Sequence, residues 1–262
     1  MCFYRLYGLT VRSQIPLEVP LSKQTEVDVD IFLSPDMPID PEYTHHINVH
    51  KVGIDKSVLL EAEFGWLHVK EGNTILVRLK ADQNISLAIN YILGSGMGII
   101  LQQRQALVLH ASGVSKEGKA IVFVGKSGYG KSTTASLLQR EGYDLLADDL
   151  SVIQFRGKCP YVQPGFPTQK IASDVLELMG APPGKAETPI SEGRMKYFRP
   201  ARTFSETPCR LFQIYCLRRV ATNEPYIDHL AASIDSFHAL YRNSFRFKLI
   251  SPLGFAREHL AL

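Results

Sequence analysis

Apolar and polar residues alternate over several stretches in the first third of the chain, at 26–33, 57–64, 66–70 and 74–79. A period of two is typical of strands that bury one face. The short turn at 71–73 separates the last two stretches. We therefore predict that they form a hairpin.

The spacing of apolar residues changes after this hairpin. From Ser86 it becomes helical and continues, past two glycines, toward Gln103. We expect this helix to join a smaller β-rich module, residues 1–95, to a larger module, residues 96–262.

The second module has the alternation of strands and helices that is typical of α/β domains. We predict strands at 107–114 and 120–124, a helix at 133–140, one or two short strands within 144–153, a strand at 211–217, an amphipathic helix at 234–241, and loops at 160–167, 181–189 and 206–208. The expected fold class is α/β for this module and α+β overall.

The predicted strand at 120–124 and helix at 133–140 flank the run GKSGYGKS, Gly125–Ser132. This run fits the phosphate-loop pattern G-x-x-x-x-G-K-[ST], and the flanking strand and helix are the context that the pattern requires. Glycines allow backbone N–H groups to surround a polyphosphate, and the helix directs its positive end at it. The bland alternative is a glycine-rich turn.

The loop predicts residues that bind ATP and Mg²⁺. Lys131 would neutralise the β- and γ-phosphate oxygens, and the hydroxyl of Ser132 would ligate Mg²⁺. The full predicted nucleotide-binding set is Gly125, Ser127, Gly128, Tyr129, Gly130, Lys131, Ser132 and Thr133.

Two adjacent acids, Asp148 and Asp149, follow an apolar run after the loop helix. One carboxylate at this position could hold Mg²⁺, and the other could accept the proton of an attacking hydroxyl. Two adjacent like charges are costly unless a cation lies nearby, so a bound metal ion would explain the acid pair. The alternative is a solvated turn that carries two acids.

His110 ends an apolar strand directly before the strand that leads into the loop. It could reach the phosphates or the acid pair, or it could be a hydrogen-bonded structural residue. Basic residues are frequent later in the chain, and a few could grip an acidic substrate while most form a solvated surface. They are Lys185, Arg194, Lys196, Arg199, Arg202, Arg242, Arg246 and Lys248.

Composition excludes several other classes of protein. The net charge of +3 is too small to indicate nucleic-acid binding. The four cysteines are scattered without metal-site spacing, and we interpret them as reduced thiols. No apolar run looks long enough to span a membrane and no secretory signal is evident, so we expect a cytoplasmic protein. The guanine-reading, GxSxG, HExxH and eukaryotic protein-kinase motifs do not occur.

Three stretches in this order, HASGV at 110–114, the loop, and GYDLLADD at 142–149, resemble the catalytic domain of HPr kinase/phosphorylase. This bacterial family phosphorylates a serine of a carrier protein. The resemblance implies a P-loop HPr-kinase-like catalytic domain in which Asp148 is the base and Asp149 a metal ligand. It also implies that His110 lies beside them and that Lys131 binds the phosphates.

The chain departs from that family after the acid pair. The family's arginine- and glycine-rich signature has no counterpart, and VQPGFP stands at 162–167 instead. Reverse phosphorolysis is therefore not implied. This stretch and the opening YRLYGLT at 4–10 resemble a compact branch of HPr-like kinases, some of which phosphorylate the C-terminal serine of lasso-peptide precursors.

We therefore expect an ATP- and Mg²⁺-dependent kinase that acts on a serine hydroxyl of a peptide or small protein, with a lasso-peptide precursor as the leading candidate. The β-rich module would grip the peptide, for example as an added strand. Alternatives are an HPr(Ser)-type protein kinase, a kinase of a small hydroxylated metabolite, and an ATP-binding regulator without transfer. HPr-like kinases can form rings, so a homo-oligomer is one of the states that the resemblance allows.

Overall fold

The computed structural model describes residues 1–37, 43–81, 85–180, 196–220 and 234–254. The chain is mixed α+β, mostly sheet with few helices. It divides into two compact units. The first contains Met1–Val108 and the stretch that begins at Lys248, and the second contains Leu109–Phe247. The predicted boundary at 95/96 lies within the first unit as the structure divides it.

The first unit is built on an eight-stranded sheet. Its strands are β1 (Cys2–Leu6), β2 (Leu9–Ser13), β3 (Val29–Leu33), β4 (Tyr43–Ile47), β5 (His50–Gly53), β6 (Val58–Ala62), β7 (Gly65–Lys70) and β8 (Thr74–Leu79). Their spatial order is β1-β2-β3-β8-β7-β6-β5-β4, so β1 and β4 are the edges. β3 runs parallel to both β2 and β8.

The hairpin and the alternating strands are confirmed. β7 pairs antiparallel with β8 in the register Lys70↔Thr74. Leu67 and Val69 of β7 are buried, and their sequence neighbours are half-buried, as the alternation predicts. The stretches at 26–33 and 57–64 contain the shorter strands β3 and β6.

The predicted helix is one segment of three parts: α1 (Ile85–Tyr91), a π-helical turn (Ile92–Gly96) and α2 (Met97–Gln103). It packs on the sheet so closely that a Cβ on Gly96 would lie 3.1 Å from Cδ1 of Ile75. This contact explains why the helix belongs to the first unit.

Among the described residues, one helix is long and apolar enough to cross a membrane, and it is this segment, Ile85–Gln103. The expectation that no apolar run has this length was therefore wrong. However, 67% of the most apolar 18-residue stretch of this helix is buried, as in the core helix of a water-soluble protein. The cytoplasmic location stays a prediction.

The second unit contains most of a seven-stranded sheet and a two-stranded sheet. The strands are β9 (Leu107–Leu109), β10 (Ala111–Lys116), β11 (Lys119–Val124), β12 (Asp144–Ala147), β13 (Ser151–Arg156), β14 (Cys159–Gln163), β15 (Thr168–Ala172), β16 (Lys196–Pro200) and β17 (Cys209–Cys216). The large sheet has the order β12-β10-β11-β17-β14-β13-β9, and β15 pairs with β16.

Three helices complete the described part of this unit: α3 (Lys131–Arg140), α4 (Ser173–Leu178) and α5 (Ile234–Asn243). A single turn of 3₁₀ helix, Phe247–Leu249, follows α5. Ala135 of α3 packs against the buried side chains of Val114 and Phe123 on β10 and β11. Burial of this apolar face fixes the helix against the strand that precedes the loop.

Several predictions for this unit are confirmed and others need correction. The helices at 133–140 and 234–241, the strand at 211–217 and the two strands within 144–153 are present. The single strand expected at 107–114 is interrupted at His110, and the expected loop at 160–167 contains most of β14. The predicted loop at 181–189 lies outside the described residues.

Candidate functional site

The phosphate-loop sequence follows the last residue of β11. This strand lies between β10, to which it is antiparallel, and β17, to which it is parallel. Gly125 has φ 147°, and a Cβ there would lie 2.7 Å from the carbonyl oxygen of Leu217. Only glycine fits this close approach of two strand ends. Gly130, with φ 93°, makes the turn into α3.

The N-terminus of α3 has no side-chain cap and no acid in its first turn. Its backbone N–H groups and helix dipole therefore favour an anion. Lys131, the first residue of the helix, is only 8% exposed. Its ammonium donates to the carbonyl oxygens of Gly125 at 2.8 Å and Lys126 at 3.3 Å. Burial lowers the pKa of Lys131, while the nearby carboxylates of Asp149 and Asp148 act in the opposite direction.

Most other residues of the loop are more exposed than this lysine. Ser127 and Gly128 are exposed, and Tyr129 is half-buried. The guanidinium of Arg219 lies 5.6 Å from the centre of the Tyr129 ring and donates to the carbonyl oxygen of Gly128 at 3.3 Å. Thr133 is half-buried in the first turn of α3.

Asp148, 6% exposed, follows β12 and is held by three hydrogen bonds. Oδ1 accepts from the hydroxyls of Ser112 at 2.6 Å and Ser132 at 2.8 Å. Oδ2 accepts from the backbone N–H of Lys170 at 2.9 Å. Burial raises the pKa of Asp148 although these donors act to lower it. The carboxylate is thus joined directly to the serine of the loop, because β10, which carries Ser112, pairs with both β11 and β12.

Asp149 points to a different set of partners and its side chain is 33% exposed. Oδ2 accepts from the ammonium of Lys170 at 2.8 Å, and Oδ1 lies 3.3 Å from Nδ1 of His110. Burial alone would raise the pKa of Asp149, but the charge of Lys170, together with its hydrogen bond, outweighs burial and lowers the pKa. Asp149 also has φ 68°, a backbone conformation that is rare outside glycine and costs energy.

His110 stands between β9 and β10. Its backbone N–H donates to the carbonyl oxygen of Asn243 at 2.8 Å, and its Nδ1 lies 3.1 Å from the carbonyl oxygen of Asp149. Burial lowers the pKa of His110, and the charge of Asp149 opposes this shift. A neutral ring that donates from Nδ1 to Asp149 fits both observations.

The structure thus brings together His110, Lys131, Ser132 and the two acids. Ser132 is hydrogen-bonded to Asp148, whereas the predicted metal ligands were Ser132 and Asp149. This geometry favours an exchange of the roles of the two acids.

Sequence reasoning missed Ser112 and Lys170. Ser112 lies within the HASGV stretch at 110–114, which was its only signal. Lys170 comes from β15 in a separate small sheet, and no motif marks it. Among the basic residues that the sequence singled out, Lys196 pairs with Ala172 at the end of β15 and contributes to the lowered pKa of Asp149.

The other basic residues of that set lie elsewhere. Arg199 and Arg202 are on or after β16, and Arg246 lies over the ring of Phe245. Lys248 belongs to the first unit. Lys185 and Arg194 lie outside the described residues.

The chain matches no family model, and no curated protein is significantly similar to it. The chemistry that the site can perform follows from its own residues. They provide an anion cradle, a buried ammonium, a serine hydroxyl paired with one carboxylate, and a second, partly exposed carboxylate.

No group of three or more His, Cys, Asp or Glu side chains that could hold a metal occurs in the part of the chain that the structure describes. This pattern does not argue against Mg²⁺. Magnesium is usually held by one or two carboxylates, with phosphate oxygens and water as the other ligands. Ser132 and Asp148, 2.8 Å apart, fit such a site.

Proposed function

We propose that the protein is an ATP- and Mg²⁺-dependent kinase of the HPr-kinase-like P-loop class that transfers the γ-phosphoryl group to a serine hydroxyl of a peptide. The observation that carries this proposal is the hydrogen bond from Ser132 of the loop to Asp148, beside a second acid with an exposed edge. A protein that only binds phosphate has no need of this second carboxylate.

Ser132 and Asp148 are the residues that would hold Mg²⁺, which supplies positive charge to the β- and γ-phosphate oxygens. The side chain of Asp148 is almost fully buried, so an acceptor hydroxyl would have little access to it, whereas that of Asp149 is partly exposed. We therefore propose that Asp148 serves the metal through the hydroxyl of Ser132, which donates to it, and that Asp149 meets the acceptor, the reverse of what the resemblance implies.

The reaction would proceed by direct displacement at the γ-phosphorus. The serine oxygen forms a bond to phosphorus as the bond to the bridging oxygen of ADP breaks, and the hydroxyl proton passes to Asp149. Lys131 and the N–H groups of the loop would stabilise charge on the phosphoryl oxygens. His110 and Lys170 would hold Asp149 in position, because both contact its carboxylate.

The acceptor peptide needs a recognition surface. The edge strand β4 supports the prediction that the β-rich module binds the peptide as an added strand. Thr44, His45 and His46 of this strand are exposed, as a strand that receives an added peptide would be. Hydrogen exchange with and without a phosphorylatable peptide tests this role. Slower exchange of backbone N–H groups at Tyr43–Ile47 is expected, and unchanged exchange would remove the proposal for this edge.

The reaction itself is tested with purified protein, Mg-ATP and three kinds of acceptor: serine peptides, a small carrier protein and small alcohols. Mass spectrometry should detect one added phosphoryl group on a serine of a peptide. Transfer only to the carrier protein or to an alcohol would favour the corresponding alternative kinase. ATP binding without transfer to any acceptor would instead indicate a regulator. The hydrogen bonds that the two acids already accept would then explain the absence of transfer.

A further inference from the structure

A cavity of about 770 Å³ lies within the second unit, beside the phosphate loop. The first residues of the loop, the end of β17 and one face of α5 form its walls. On α5 the lining residues are Asp235, His238, Ala239, Arg242 and Asn243, whose spacing places them on one side of the helix. The aromatic rings of Phe237 and Tyr241 stack on each other outside this set.

The walls of the cavity are strongly basic. Among the residues that the structure describes, Lys126, Arg218, Arg219 and Arg242 line it, against the single acid Asp235. Arg219 is engaged with the loop through Gly128 and Tyr129. Within the described ranges, no carboxylate lies within 4.0 Å of the charged nitrogens of Lys126, Arg218 or Arg242. These three cations can therefore each receive an anionic group.

The position of the cavity connects it to the candidate site on two sides. Gly125 and Lys126 line the cavity, and their carbonyl oxygens accept hydrogen bonds from the ammonium of Lys131. Asn243 also lines it, and its carbonyl oxygen accepts from the backbone N–H of His110. A ligand in the cavity would thus lie beside residues that hold the phosphate-binding lysine and the histidine next to Asp149.

The charge of the walls distinguishes two kinds of ligand. A nucleoside is neutral and would not pair with these three cations, and the phosphates of a nucleotide would contact Lys131 and the N–H groups of the loop. A segment with several carboxylates would instead form charge-assisted hydrogen bonds with guanidinium groups, which bind carboxylates in a bidentate manner.

We propose that this cavity binds an acidic segment of the acceptor peptide, with its carboxylates against Lys126, Arg218 and Arg242. The proposal rests on the proposed kinase function and names the class of its substrate: serine peptides with glutamate or aspartate near the acceptor serine. His238 and Asp235 would form the less basic part of the wall.

The test uses the full chain and two synthetic peptides that differ only in charge. One carries glutamates on both sides of a serine, and the other carries glutamines at the same positions. The variants are Arg242→Glu and Arg218→Glu, and the matched control is Lys158→Glu, an exposed cation in the turn between β13 and β14. Steady-state phosphorylation gives KM and kcat for each peptide and for ATP.

The wild type and the control should prefer the glutamate peptide by about tenfold or more in kcat/KM, the value of one charge-assisted contact. Each cavity variant should lose most of this preference through a higher KM for the glutamate peptide, with the KM for ATP within about twofold of the wild type. A raised KM for ATP alone would assign the cavity to the nucleoside. Equal use of the two peptides by the wild type would overturn the proposal.

Fluorescence anisotropy with the same peptides separates this inference from the reaction. If no peptide is phosphorylated but the labelled glutamate peptide binds to the wild type and not to Arg242→Glu, the acidic-ligand site stands while the kinase assignment fails. If the glutamate peptide does not bind to the wild type, the inference is wrong whatever the enzyme does.

Discussion

The side-chain ammonium of Lys170 lies 2.8 Å from Oδ2 of Asp149. The same residue donates its backbone N–H to Oδ2 of Asp148 at 2.9 Å. One residue of a two-stranded sheet thus holds both acids by different groups. Because only one of these groups belongs to the side chain, substitution can separate the two contacts.

The substitution Lys170→Met should remove the contact to Asp149 and preserve that to Asp148. A charge-assisted hydrogen bond is worth about 1.5–3 kcal/mol, so we expect kcat for phosphoryl transfer to fall roughly 10–100-fold. Affinity for Mg-ATP should change little. Lys158→Met is the matched control, since its side chain is exposed in the turn between β13 and β14. A normal kcat in Lys170→Met would show that Asp149 needs no such partner.

Asparagine substitutions test the proposed roles of the two acids. Asp149→Asn should lower kcat by about 10²-fold, the lower end of the usual contribution of a positioned base because its lowered pKa makes it a weak one, and should preserve nucleotide binding. Asp148→Asn should weaken the binding of Mg²⁺. It should also lower the free energy of unfolding by about 1–3 kcal/mol, because an amide nitrogen would face the hydroxyl and N–H groups that now donate to the carboxylate. Titrations with Mg²⁺ and thermal melts measure both effects. The opposite pattern would restore the assignment that the resemblance implies.

Lys131→Met separates the function of the lysine from the stability of the fold. Burial lowers the pKa of Lys131, so the folded chain holds a charge that is costly to desolvate. We expect the variant to melt at or above the wild-type temperature without ligand. The rise in melting temperature that Mg-ATP gives the wild type should be absent, because the ammonium would no longer neutralise phosphate. A normal rise would contradict the role of Lys131.

The elements that depend on local pattern were predictable from the sequence. The β7–β8 hairpin follows from alternation around Glu71-Gly72-Asn73, and α3 follows from the spacing after the loop. Lys170 was not predictable, since it comes from β15 and reaches the acids only through tertiary packing. The break at His110 is likewise set by a distant partner, the carbonyl oxygen of Asn243. Pairings over such separations leave no periodic signal in the sequence.

Gly125→Ala tests the close approach between the loop and β17. The new Cβ would lie 2.7 Å from the backbone oxygen of Leu217, which cannot move without disturbing the strand. Gly118→Ala is the matched control: its φ of 74° is also positive, but no atom lies within 4 Å of the new Cβ. We expect Gly125→Ala to be less stable than the control by about 1–3 kcal/mol, the usual cost of overpacking, in denaturant unfolding. Equal stability would mean that the strand ends can separate freely.

His68 of β7 should make the stability of the fold depend on pH. Burial lowers its pKa, although the charge of Asp55 opposes the shift, and among the described residues its Nε2 has no hydrogen-bond partner. Below the ordinary histidine pKa of about 6.5, the unfolded chain takes up a proton that the folded chain refuses. The free energy of unfolding should therefore fall as the pH drops from 6.5 toward the lowered pKa, by at most about 1.4 kcal/mol per pH unit from this residue.

His68→Gln should make the fall shallower, whereas the same change at the exposed His45 should not. Denaturant unfolding between about pH 5 and 8 measures this slope, and equal slopes in the wild type and His68→Gln would show that His68 is protonated as easily in the folded chain as in the unfolded one.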